Sequence, residues 1–264
     1  MTIEWEADEL RGFEKFRLSR KDHALFFIEN ERDFEAQLYA IKAALSRNKE
    51  AEKKAVENIE HMRSQIDLLD PEDHRNADHL NDHLTDMFHE SVYSDAAHSM
   101  SAVGMLAPFI ESLFVAIFEA IRKVEKPTDE VDPRQNAFRD LYWNPQLVIK
   151  KGEFGNDLIR GIQELARFSG LELFLPDGYE KTLTALFAYR NNMFHNGFEW
   201  PANKVEKFQN RVKNKHWPEN WFHHSSKNDV PWIYYMSEDF IQHCLKLIDE
   251  VLDGVGEYLE KREA

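Results

Sequence analysis

"MSAVGMLAPFIESLFVAIFEAIRKV" runs from Met100 to Val124 and is the most apolar stretch of the chain. Val103, Leu106, Ile110, Leu113, Ile117, Ile121 and Val124 recur at steps of three and four, which is one stripe of an α-helix. Phe109, Phe114 and Phe118 widen that stripe until little of the helix perimeter is polar. A helix apolar over so broad an arc belongs at the centre of a bundle. Its densest part, Met105 to Ile121, contains Pro108, Glu111 and Glu119, which makes it a poor membrane span and a good buried helix.

Outward from this helix the pattern stays helical. Phe34, Leu38, Ile41, Leu45, Val56, Ile59, Met62 and Ile66 predict a helix over about 31–69, with a charged middle, SRNKEAEKKAVEN, turned to solvent or to a partner helix. Asp70-Pro71 breaks it, and Pro71, Glu72 and Asp73 suit a new first turn. Residues 72–99 hold His74, His79, His83, His89 and His98 among aspartates. His79 and His83 share a helix face, as a metal pair would, but no glutamate of a metalloprotease helix and no cysteine accompanies them. A solvated or pH-sensitive face is the plainer account.

Beyond Val124, KPTDEVDP (126–133) reads as a linker, followed by a short element over 137–149 and a GEFGND turn. A helix over 157–169 buries Leu158, Ile162, Leu165 and Phe168, with Gly170 as its stop. Another begins near Asp177 or Gly178. Residues 201–237, with Trp217, Trp221 and Trp232 after Trp200, read as an ordered insertion with VPWIYYMS as a short strand. A closing amphipathic helix covers 238–261. The expectation is an all-α fold: an N-terminal helical extension over 1–95 for dimerisation or regulation, then a helical bundle over 96–264.

The 264 residues are 42% hydrophobic and 31% charged, enough to bury a sizeable core, and 10 Gly with 9 Pro leave few helix breakers. The net charge of −15 repels nucleic-acid phosphates on average, so any such contact needs a local basic patch. The single cysteine, Cys244, excludes an internal disulfide framework and a multi-cysteine zinc site. The acidic start, MTIEWEADELRG, lacks the apolar run of a signal peptide, which predicts a cytoplasmic protein with no membrane partner. No phosphate-cradling glycine loop is present, and neither a cofactor nor a metal is expected.

The chemistry collects in ALFAYRNNMFHNGFEWP, Ala185 to Pro201. Arg190, Asn191, Asn192 and His195 interrupt an apolar helix in its last turns, before Gly197. On a helix Asn191 and His195 nearly stack, and Arg190 reads as sitting beside them on one polar edge. An imidazole moves protons near neutral pH, and a guanidinium holds phosphate and stabilises charge developing on it. An amide orients either group. Together they suit metal-free phosphodiester cleavage, in which a ribose 2′-hydroxyl attacks its own phosphorus. Each residue has a structural account too: Arg190 paired with a buried carboxylate, His195 favoured at a helix C-terminus, and the amides as poor helix formers near an end.

Arg190-Asn191-x-x-x-His195, late in an all-α chain, resembles the signature of HEPN domains. The resemblance covers roughly 95–260 and includes ESLF at 111–114. It implies a helical bundle that pairs through the motif helices into a composite cleft and cleaves RNA without metal, commonly in toxin–antitoxin or phage-defence settings. An antitoxin partner is implied with it. Inactive members of the family serve instead as interaction or assembly modules, which is the alternative function here. Carried over, Arg190 would hold the phosphate, His195 would be general acid or base, and Asn191 would orient. Glu111 would face the arginine, or else lie on a polar strip with Ser112, Glu119 and Arg122. Downstream, Lys204, Lys207, Arg211 and Lys215 recur at helical spacing, opposite Val205, Phe208 and Val212. That row is either an RNA-guiding face or a plain amphipathic surface.

Overall fold

The computed structural model describes residues 18–28, 32–69, 74–124, 142–150 and 153–263. Among these, seven α-helices and two small hairpins make an all-α protein. The helices are α1 (Arg20–Ile28), α2 (Phe34–Asp67), α3 (His74–Val124), α4 (Leu158–Ser169), α5 (Tyr179–Asn196), α6 (Ala202–Asn214) and α7 (Glu238–Glu263). Antiparallel hairpins join β1 (Leu147–Lys150) to β2 (Glu153–Asn156), and β3 (Phe222–Lys227) to β4 (Val230–Met236). The expected Asp70-Pro71 break, the linker at 126–133 and most of the N-terminal 30 residues lie outside the described residues.

The apolar stretch is the second half of α3, a single 51-residue helix. No glycine or proline stands between Arg75 and Val103, so the change from polar to apolar sequence brings no stop. The domain boundary expected after residue 95 falls inside this helix. Pro108 deletes one internal hydrogen bond donor on an exposed side, and the helix continues past it. By length and composition α3 could cross a membrane, and 56% of the qualifying window is buried.

Contacts divide the chain into two compact units. The first takes Met1–Phe34, Leu113–Asp177 and Leu247–Ala264. Its core joins Leu113, Ile117 and Ile121 of α3, Ile162 and Leu165 of α4, and Val251, Leu252 and Val255 of α7, all buried. The α4 ends are set locally: the Asp157 carboxylate accepts from the Arg160 amide, and Gly170 turns left-handed at φ 77°. GEFGND, expected as a turn, instead supplies β2 and that Asp157 cap. A Cβ on Gly254 or Gly256 would stand 2.0 Å from the Phe174 carbonyl oxygen or 2.1 Å from that of Arg20, so α7 needs both glycines.

The second unit takes Glu35–Ser112 and Gly178–Lys246. Leu38, Ile41, Leu45 and Ile59 of α2 are buried, while the charged run after Leu45 is mostly exposed. The insertion is denser than a loop. Trp200 stacks on Tyr234, and Phe208 sits edge-on to Trp200, Phe222 and Tyr234 at 5.1–5.3 Å. Fully buried Tyr189 of α5 joins them and donates its hydroxyl to the Tyr234 carbonyl at 3.0 Å. The strand expected at 230–237 is β4, and it has a partner, β3, across Asn228 (φ 52°) and Asp229 (φ 60°). Two left-handed residues are what a tight hairpin turn with the strands' own twist requires.

Candidate functional site

Helix α5 is stopped by Gly197, at φ 70°, whose amide donates to the Met193 carbonyl at 2.9 Å. Pro201 then opens α6. The two helices leave an open groove of about 450 Å³ between them. From α5 it is lined by Ala188, Asn191, Asn192, His195 and Asn196, which are one face of the helix. From α6 come Lys204, Lys207, Phe208 and Arg211. Phe208 is buried in the aromatic cluster beneath, and this fixes the helix from which the cations project. Asn191, His195, Lys204, Lys207 and Arg211 are all exposed.

Hydrogen bonding separates the amides. Asn192 donates to the Ala188 carbonyl at 3.0 Å and Asn196 to that of Asn192 at 2.8 Å, so both are tied to their own helix. Among the described residues, Asn191, His195 and the three α6 cations make no side-chain hydrogen bond or ion pair. Their hydrogen-bonding capacity faces the groove and solvent.

Three expected members are placed elsewhere. Arg190 is half-buried and does not line the groove. Five helical steps carry it about 140° round α5 from His195, so the single polar edge expected for the pair does not form within one chain. Glu111 is half-buried with an interaction of its own, and among the described residues no bond joins it to Arg190 or Asn191. Lys215 ends α6, its amide donating to the Arg211 carbonyl, and its side chain lies outside the groove. His79, His83 and His89 are exposed on α3, and no trio of potential metal ligands assembles among the described residues.

A second cavity, of about 230 Å³, follows no motif in the sequence. Glu52, Asp95, His98, His223, Tyr235 and Glu238 line it. Burial, then the charge of Glu52, pushes the Asp95 carboxyl up to about 6. The His98 Nδ1 is buried with no hydrogen-bond partner. The i, i+3 spacing of Asp95 and His98 was visible in the sequence, but the elements that close over them were not. Nearby, the Glu199 carboxylate accepts from the Tyr93 hydroxyl at 2.6 Å and the Trp232 indole at 3.0 Å, bonds that lower its pKa and tie β4 to α3.

The fold and groove define an all-α protein with a cationic, imidazole-bearing cleft on an acidic chain. Protein-family models, curated proteins and solved structures give no match to this chain.

Proposed function

We propose that the protein is a metal-independent endoribonuclease of HEPN type, with His195 as its proton-transfer group. The observation carrying this reading is the groove itself. Among the described residues, an imidazole and an amide with no bond of their own face three cations with no ion-pair partner, on a chain of net charge −15. His195 takes the proton of a ribose 2′-hydroxyl, whose oxygen bonds to the adjacent phosphorus. The bond from phosphorus to the 5′-oxygen breaks, and that oxygen takes a proton from water. The products are a 2′,3′-cyclic phosphate and a 5′-hydroxyl. Asn191 orients the imidazole or the phosphate. A homodimer paired through α5 is the arrangement that would supply an Arg190 to a groove it does not reach within its own chain. The toxin–antitoxin or phage-defence setting, an antitoxin partner and a cytoplasmic location enter through the resemblance alone.

The position of Arg190 specifically favours a second reading, a catalytically silent HEPN-like interaction module, since such a module needs no arginine beside His195. One assay separates the two. Mixed RNA is incubated with EDTA and either the purified protein or His195→Ala. Cleavage by the wild type alone supports the ribonuclease. Equal cleavage by both, or by neither, turns the assignment to the module.

A further inference from the structure

We propose that Lys204, Lys207 and Arg211 of α6, and not Arg190, hold the phosphates of an RNA strand that runs along the groove past His195. The inference rests on the reading of the groove as an RNA site and assigns its phosphate ligands. Three observations carry it. The three cations sit within a narrow arc of α6, on the side that faces His195 and Asn191 across one cavity. None of them has an ion-pair partner among the described residues, although acidic residues outnumber basic ones 48 to 33 in this chain. Arg190, the cation nearest His195 in sequence after the helix start, is turned away.

An exposed lysine row on an acidic protein ordinarily finds carboxylates within reach of its own long side chains. Here Glu206 projects from the opposite side of α6, two steps from Lys204 and about 200° round the helix. Among the described residues no carboxylate pairs with the row, and a chain of phosphates is the ligand that matches its positive charge. Lys204 to Arg211 spans about 10 Å along the helix axis, enough for more than one phosphate of a single strand. Arg211 adds a planar fork able to grip two oxygens of one phosphate, which the two lysines cannot do. Asn191, with both amide groups unengaged, lies opposite the cations, where a base or ribose of that strand would stand.

The test uses the whole protein and a fluorescein-labelled single strand of 2′-O-methyl RNA, which binds but cannot be cut by 2′-oxygen attack. Fluorescence anisotropy across a salt series reads the affinity and its salt slope. Three phosphate contacts on a single strand predict a slope near −2, and Lys207→Glu with Arg211→Glu should weaken binding at least about tenfold and flatten the slope to roughly −0.7. Both positions are exposed, so the fold should survive; circular dichroism and melting confirm that. Arg190→Ala should change the affinity for this uncleavable strand by less than about twofold, since a guanidinium supplied by a second copy would engage the phosphate only as charge develops in the transition state. Binding unchanged by the double substitution, binding lost equally on Arg190→Ala, or no binding by the wild type would each overturn the assignment. Because the probe is uncleavable, tight binding beside no cleavage of ordinary RNA would retain this inference and remove only the ribonuclease.

Discussion

His195 is exposed near the end of α5 and is tied to nothing among the described residues, so its removal should leave the fold alone. If it moves the proton, His195→Ala lowers the cleavage rate by about a hundred- to ten-thousand-fold with an unchanged melting temperature. Arg190→Lys makes a sharper test. A point charge cannot replace a planar fork on a phosphate in the transition state, so cleavage should fall while binding of uncleavable RNA holds. A fall in both would place Arg190 in ground-state binding. Asp95 supports a prediction of its own. Its pKa is raised from 3.8 to about 6, so the folded state binds a proton that the unfolded chain releases earlier. Stability from this site is therefore present below about pH 4 and is lost as pH rises through about 6. Asp95→Asn should raise the melting temperature near neutral pH and change it little near pH 4, as melts across that range will read. A uniform shift at every pH would exclude burial of the charge as the cause.

Elements were legible in proportion to their punctuation. α4 and α5 have glycine stops, α4 adds a clear apolar stripe, and α2 and α7 repeat theirs over many turns. The polar strand FHHSSK shows no alternation to betray β3, and β1 and β2 are four residues each, too short for a period to register. Their stability comes from what they pack against, which a local pattern does not hold. The site was half legible. The residue types and the basic row were visible, and five helical steps already put Arg190 about 140° from His195; only the side of α5 that becomes the groove depends on where α6 lies. The glycines of α7 give a test at this scale. Alanine in a helix ordinarily gains about 1 kcal/mol over glycine. At Gly254 and Gly256 it would collide with carbonyl oxygens at 2.0 and 2.1 Å, so each alanine should lower the denaturation midpoint. At Gly104, where the nearest atom is 3.4 Å away at the tip of half-exposed Phe194, alanine should be neutral or stabilising. Destabilisation at all three would mean that helix packing, and not the close carbonyls, sets the requirement.

For the molecule as a whole, charge decides what can approach. A chain at −15 repels polyanions on average and the α6 cations offer a local exception, so RNA binding at that row should be steeply salt dependent. Arg190 and His195 lie on different sides of one helix, so catalysis that uses both requires a second copy. Sedimentation should then find a dimer under conditions where RNA is cut, and a strictly monomeric active protein would leave Arg190 out of the chemistry. Proton transfer by His195 to drive 2′-oxygen attack is read from the ends of the products. A short RNA strand is incubated with excess EDTA and the wild-type protein, beside the same strand made of 2′-deoxyribose and beside His195→Ala. Mass spectrometry should find 2′,3′-cyclic phosphate and 5′-hydroxyl ends from the first reaction and none from the other two. Ends bearing a 5′-phosphate, cuts in the deoxy strand, or equal products from His195→Ala would contradict the account.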